Sequence, residues 1–121
     1  MKKQSEKRES VRFRVPTLLK YSGDPHSAGE QVANIRDISL RGMAFLAQKP
    51  VEEGCHLELS FLAPSGEALV VKGLVLHCEK ISKNPDSFKV GVCFEEVQHE
   101  ALEWLRRFEK FFLDGQKMRN A

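Results

Sequence analysis

HLELSFL, residues 56–62, alternates without a break: Leu57, Leu59 and Phe61 fall on one side, Glu58 and Ser60 on the other. Successive side chains of a strand point to opposite faces, so the stretch reads as a half-buried antiparallel strand. Pro64, Ser65 and Gly66 then supply a hairpin turn into a long apolar run at 68–81. Gly73 interrupts that run, which predicts a bulge or bend of the kind a barrel corner needs. Working outward, a turn at 82–86 leads to a last strand in which Phe88, Val90, Val92 and Phe94 alternate. Upstream, 50–54 is a turn, 42–46 a third strand and 31–39 a second. The stretch 22–30, SGDPHSAGE, is dense in turn formers and reads as a loop. The first strand is 13–21, with Pro16 suited to a strand start.

The period changes after Glu96. Val97, Ala101, Leu102, Leu105, Phe108 and Phe112 recur at three and four, which predicts an amphipathic helix. Gly115 is the expected stop, with 116–121 frayed beyond it. Phe111 and Phe112 are adjacent and cannot both face one core stripe, so one of them is expected to meet a partner. Six short strands and one helix argue for a mainly β fold: a six-stranded antiparallel β-barrel with a C-terminal α-helix and a flexible N-terminal arm. Closure is preferred to a sandwich because it removes unpaired strand edges. The expected boundaries are an arm at 1–11, barrel plus helix at 12–114 and a tail at 115–121.

Composition narrows the function. A chain of 121 residues suits one domain, and eight Phe among 41% hydrophobic residues can fill a core. The chain carries no apolar run long enough to span a membrane, and MKKQSEKRES lacks the apolar stretch of a secretory signal. The expectation is a soluble, cytoplasmic protein with no membrane insertion. Three cysteines, Cys55, Cys78 and Cys93, with no CxxC spacing, argue against a disulfide framework. His56 follows Cys55 and Cys78 follows His77, but neighbours on a strand face opposite ways, so neither pair presents two ligands to one metal ion. G-x-S-x-G, P-loop and HExxH patterns are missing, so no catalytic residues are assigned and no enzyme is expected. The N-terminus is basic: Lys2, Lys3, Lys7, Arg8, Arg12 and Arg14 stand against Glu6 and Glu9, on a chain whose net charge is only +2. A basic arm on a mildly acidic body suggests an anionic ligand.

IRDISLRGMAF, residues 35–45, does not read as an ordinary strand. Asp is depleted in strands and glycine weakens them. Asp37 and Ser39, two apart, are expected on one face as an acceptor and a donor, with a tight turn at Leu40 and Arg41 before Gly42. The alternative is local: both side chains capping their own turn. Arginine binds phosphate with its fork, matches guanine O6 and N7, and stacks on a purine. A carboxylate accepts from the guanine N1–H and N2–H₂ edge, and a hydroxyl adds one more bond. Arg8 and Arg12 together with Asp37, Ser39 and Gly42 therefore suit a ligand that combines phosphates with guanines.

Arg8-x-x-x-Arg12, followed about 25 residues later by Asp37-x-Ser39-x-x-Gly42, resembles the two-part signature of PilZ domains, bacterial receptors for cyclic di-GMP. NIRDISLRGMAF, VEEGCHLELSF and KVGVCF before the helix extend the resemblance over about residues 7–112. The resemblance implies a six-stranded barrel whose arm clamps cyclic di-GMP, with no other cofactor. Arg8 and Arg12 would contact phosphate and guanine, Asp37 and Ser39 would read a guanine edge, and Gly42 would shape the turn. Lys7, Arg14 and Arg41 are auxiliary candidates. Lys7 departs from the family, which often doubles the arginine there; lysine keeps the charge without the fork or the flat face. With no output domain in the sequence, the signal is expected to pass to a protein effector. The alternative is a PilZ-like scaffold that binds a protein without nucleotide. Nucleic acid is not the expected partner, because the body is acidic on balance and aromatics do not alternate with basic residues along any strand.

Overall fold

Leu19 and Tyr21 begin the inner layer of the molecule. They belong to β1 (Leu18–Ser22) of the computed structural model, which describes the backbone of residues 17–62 and 66–120, with side chains as far as Arg107 and at Glu109 and Lys110. Five more strands follow: β2 (Gln31–Ile38), β3 (Gly42–Ala47), β4 (His56–Leu62), β5 (Ala68–Ser82) and β6 (Ser87–Val97). The chain ends in one helix, α1 (His99–Asn120). The strands close into a barrel in the order β1-β2-β3-β6-β5-β4, with every neighbouring pair antiparallel. The ring is shut where β1 meets β4, with Leu19 opposite Phe61. This is the barrel-plus-helix expected from the sequence.

Alternation in the sequence becomes inside and outside of the wall. Leu57, Leu59 and Phe61 are buried while Glu58 is exposed. Val90 and Val92 fill the interior from β6, and Phe88 and Phe94 are half-buried nearer its ends. β5 is fifteen residues long, pairs with β4 over 68–74 and with β6 over 71–82, and shifts its register to β6 three times, first between Lys72 and Gly73. A Cβ on Gly73 would overlap the Val92 side chain, so the bend expected there coincides with a close approach that only glycine permits.

The helix closes one end of the barrel. Gln98 fixes its start: its carbonyl accepts from Leu102 N at 2.9 Å, its backbone N–H donates to Val70 O at 3.4 Å, and its side-chain oxygen accepts from Val70 N at 3.1 Å. Ala101, Trp104 and Leu105 are buried, and Trp104 meets Phe61 edge-on at 6.1 Å. The helix does not stop at Gly115 as expected but continues to Asn120. A glycine in a helix interior costs only about 1 kcal/mol against alanine. The Gln116, Lys117, Met118 and Arg119 that follow are good helix formers. Most of the turn expected at 64–66, and the side chains of Phe111 and Phe112, lie outside what the structure describes. Among the described residues no helix is long and apolar enough to cross a membrane.

Candidate functional site

The rim where β2 turns into β3 is shaped by one extra residue. Ile35 faces Phe45, but Asp37 already faces Ala44, so Arg36 is a bulge. Without it, Asp37 would share the buried side of Ala33 and Ile35. With it, Ile38 takes the inward place, while Asp37 stands half-buried beside an exposed Arg36. The sequence reading passed over Arg36, because a bulge is invisible until the partner strand's register is known.

Asp37 and Ser39 do not share a strand face. The strand ends at Ile38, and Ser39 turns inward to 3% exposure. Its hydroxyl oxygen accepts from Arg41 N at 3.2 Å and Gly42 N at 3.3 Å, and its proton points to Gly42 O at 3.3 Å. Ser39 N donates to the same carbonyl at 2.8 Å. One short side chain thus satisfies the polar groups of a buried turn, the local role a serine plays well. Gly42 is needed for a different reason from the one expected. Its backbone is not among the left-handed positions, which among the described residues are Gly23, Gly29, Gly54, Gly66 and Asn84. It lies opposite Cys93 on β6, and a Cβ there would overlap Val92 O and approach Cys93 Cα at 3.2 Å. The turn is also tied to β6 by Phe94 N donating to Arg41 O at 2.7 Å, which leaves the Arg41 side chain exposed on the rim.

Lys7, Arg8, Arg12 and Arg14 lie outside the described residues. The structure does show where the chain that carries them joins the barrel. Ile35 N donates to Thr17 O at 3.0 Å, so residue 17 sits beside β2, two positions before Asp37. From Thr17 to Arg12 is five residues, a reach of at most about 17 Å.

His56, His77 and Cys78 have neighbours of their own. His56 Nδ1 bonds Glu95 Oε1 at 2.8 Å, and the His77 ring covers Gly91. Cys78 Sγ accepts from Val51 N at 3.4 Å. Burial pushes the Cys55 thiol above its ordinary value, with Asp24 and Glu52 adding to the shift. Burial also raises the Tyr21 phenol, helped by Asp24; the ring lies 5.0 Å from that of Phe45. Among the described residues no group of three metal-ligating side chains comes together.

A second feature escaped the sequence reading altogether. The outer wall of β2, β1 and β4 carries a groove of about 800 Å³ whose lining includes Thr17, Leu18, Val32, Asn34 and Leu62. These residues are far apart in the chain, and only the strand order β2-β1-β4 makes them neighbours.

The family model described as the PilZ domain matches residues 5–110. The chain belongs to the PilZ domain family. The match includes the segment with Arg8 and Arg12, the Asp37–Gly42 rim and the start of the helix. Comparison with curated protein sequences gives no match. Among solved structures, this PilZ domain is similar to the Bacillus subtilis inhibitor of motility MotI/DgrA, with a TM-score of 0.72 and 15% identity over 94% of this chain and 53% of that one. It is also similar to the PilZ domain of Escherichia coli YcgR solved with c-di-GMP, with a TM-score of 0.66 and 16% identity over 93% of this chain and 95% of that one. A third is the K. pneumonia MrkH–c-di-GMP complex, with a TM-score of 0.64 and 19% identity over 93% and 53%. At such identities the likeness is one of fold. The chain spans about half the length of MotI/DgrA and of MrkH.

Proposed function

We propose that this PilZ domain is a cyclic di-GMP receptor that acts as an adaptor, changing its contacts with a protein effector when nucleotide binds. The observation that supports this reading is the junction at Thr17: its hydrogen bond from Ile35 N anchors the chain that follows Arg8 and Arg12 beside β2, two positions before Asp37. Arg8 and Arg12 grip phosphate and stack on guanine. Asp37 accepts from the guanine N1–H and N2–H₂ edge. Ser39 and Gly42 serve by holding the turn against β6, so that the rim keeps its shape. Lys7, Arg14, Arg36 and Arg41 add positive charge around the dinucleotide. YcgR and MrkH, solved with c-di-GMP on the same fold, support the ligand class. Catalysis forms no part of this reading, and a cytoplasmic place follows from an intracellular messenger as ligand.

One observation favours the second reading, a scaffold that binds a protein without nucleotide. Ser39 and Gly42 are both accounted for by the turn itself, so their presence alone does not require a ligand. Isothermal titration calorimetry with cyclic di-GMP, and with cyclic di-AMP as control, separates the two. Selective heat at micromolar or lower concentration supports the receptor. No heat, with unchanged amide resonances from Asp37 to Gly42, supports the scaffold.

A further inference from the structure

The sequence holds four histidines, and three of them meet a carboxylate: His26 with Glu52, His56 with Glu95 and His99 with Glu103. His77 is the exception. It is exposed, and no described residue forms an ion pair or a hydrogen bond with its ring. The ring is nevertheless held in place. A Cβ on Gly91 would lie 2.7 Å from His77 Nδ1 and 2.9 Å from Nε2, and nearer still to Cε1. The imidazole therefore leans over Gly91 and uses the space that a side chain on β6 would fill.

That lean runs along one row of the barrel. Asp37 on β2 faces Ala44 on β3, Ala44 faces Gly91 on β6, and Gly91 faces His77 on β5. Directly opposed residues of antiparallel strands put their side chains on the same face. Met43, Phe45, Val90 and Val92 fill the interior, so Ala44 and Gly91, which lie between them in sequence, belong to the outer face. Asp37 and His77 thus bound one shallow trough whose floor is a methyl group and a hydrogen. Ala44 is buried low in it without joining the core cluster. Two interstrand spacings, about 10 Å, separate Gly91 from Asp37. A planar heterocycle fits between the imidazole and the carboxylate, and a larger residue at either floor position would close the gap.

We propose that His77 is a further contact for the guanine that Asp37 reads. The base lies over Ala44 with its N1–H and N2–H₂ edge on the Asp37 carboxylate, and the imidazole donates an N–H to N7 on the far side of the purine. Imidazole carries at least one N–H whether neutral or protonated, and guanine N7 is an acceptor. The assignment rests on the proposed receptor function and adds to it a residue from β5, outside both motif segments. Adenine offers the same N7, so His77 contributes affinity while Asp37 sets the preference for guanine.

Calorimetry of the full chain tests it, with cyclic di-GMP and with its 7-deazaguanine analogue, in which a C–H replaces N7. The parent protein is expected to bind the analogue about tenfold more weakly, as loss of one well-made hydrogen bond would do. His77→Ala is expected to bind cyclic di-GMP about tenfold more weakly than the parent, to lose nothing further on the analogue, and to keep its thermal midpoint, as exposed positions do. Gly91→Ala displaces the ring and has a similar effect on affinity, and combining it with His77→Ala adds nothing. Parent-like affinity in His77→Ala overturns the assignment and leaves the receptor function standing. So does an equal loss on the analogue in His77→Ala and in the parent, which would give N7 another donor. No heat from the parent with cyclic di-GMP removes the receptor function, and the His77 contact falls with it.

Discussion

The Ser39–Gly42 rim and the outer wall of β2, β1 and β4 differ in how much of their chemistry the fold itself consumes. On the rim, the serine hydroxyl is spent on Arg41 and Gly42, and the glycine is demanded by β6. On the wall, Leu18, Val32 and Leu62 are left over after the barrel has filled its interior. A motif can therefore be a folding requirement that ligand binding has adopted, while side chains the fold does not use are the sharper pointers to a partner.

That contrast can be broken first at Gly42. Gly42→Ala is expected to lose about 3 kcal/mol of stability, the upper end of overpacking costs, because the obstacle is backbone on β6 and not a movable side chain. Urea unfolding measures it, and a loss under 1 kcal/mol would show that the approach of β6 is not tight. Ser39→Ala follows at about 1–3 kcal/mol, from orphaning buried turn groups. If it lowered cyclic di-GMP affinity with stability intact, the hydroxyl would have a direct ligand role that the rim geometry argues against.

Next come the arm and the strand end, where binding should move and folding should not. Arg12→Ala and Arg8→Ala are each expected to weaken cyclic di-GMP binding by about 1.5–3 kcal/mol, the worth of a charged hydrogen bond, with the thermal midpoint unchanged. Asp37→Ala should weaken it too and erase the preference over cyclic di-AMP. Normal binding by all three in calorimetry would remove the proposed site. On the wall, Val32→Ser and Leu62→Ser should stay within about 0.5 kcal/mol of the parent in unfolding experiments, as surface substitutions do. A larger loss would mean that the wall is part of the core after all.

The smallest effect concerns the interior. Tyr21 is the sole tyrosine, so phenolate absorbance follows it alone. Burial, with Asp24 adding to it, holds its folded-state pKa above the ordinary 10.0. The stability linked to it is thus fully present below pH 10.0 and declines as the pH rises through the folded value. An alkaline titration midpoint at or below 10.0 in the native protein would mean that the phenol is open to water.

The sequence made the strands legible because alternation is local. HLELSFL and FKVGVCF each declare their inner faces without help from a neighbour. The helix was legible through its period of three and four, though not its end, because a single glycine is a weak stop when helix formers follow it. What alternation could not provide was anything that depends on two strands at once. The Arg36 bulge, the β6 backbone against Gly42 and the wall groove all arise from register and strand order. Asp37 and Ser39 were found through their spacing, but the division of labour between them came from the strand ending at Ile38.

Ring closure has a kinetic consequence. β1 needs β4 and β3 needs β6, as Leu19 beside Phe61 and Met43 beside Val92 show, and each such pairing brings together parts of the chain that are distant in sequence. A chain emerging residue by residue can form the β2–β3 and β4–β5 hairpins early, but neither sheds its exposed apolar face until β6 arrives and joins β3 to β5. Loop entropy must be surrendered before that last strand rewards it, which places the domain among the slower two-state folders, in milliseconds to seconds. β6 is in this sense the zip of the molecule, and the helix that follows it can lock only what β6 has already drawn together.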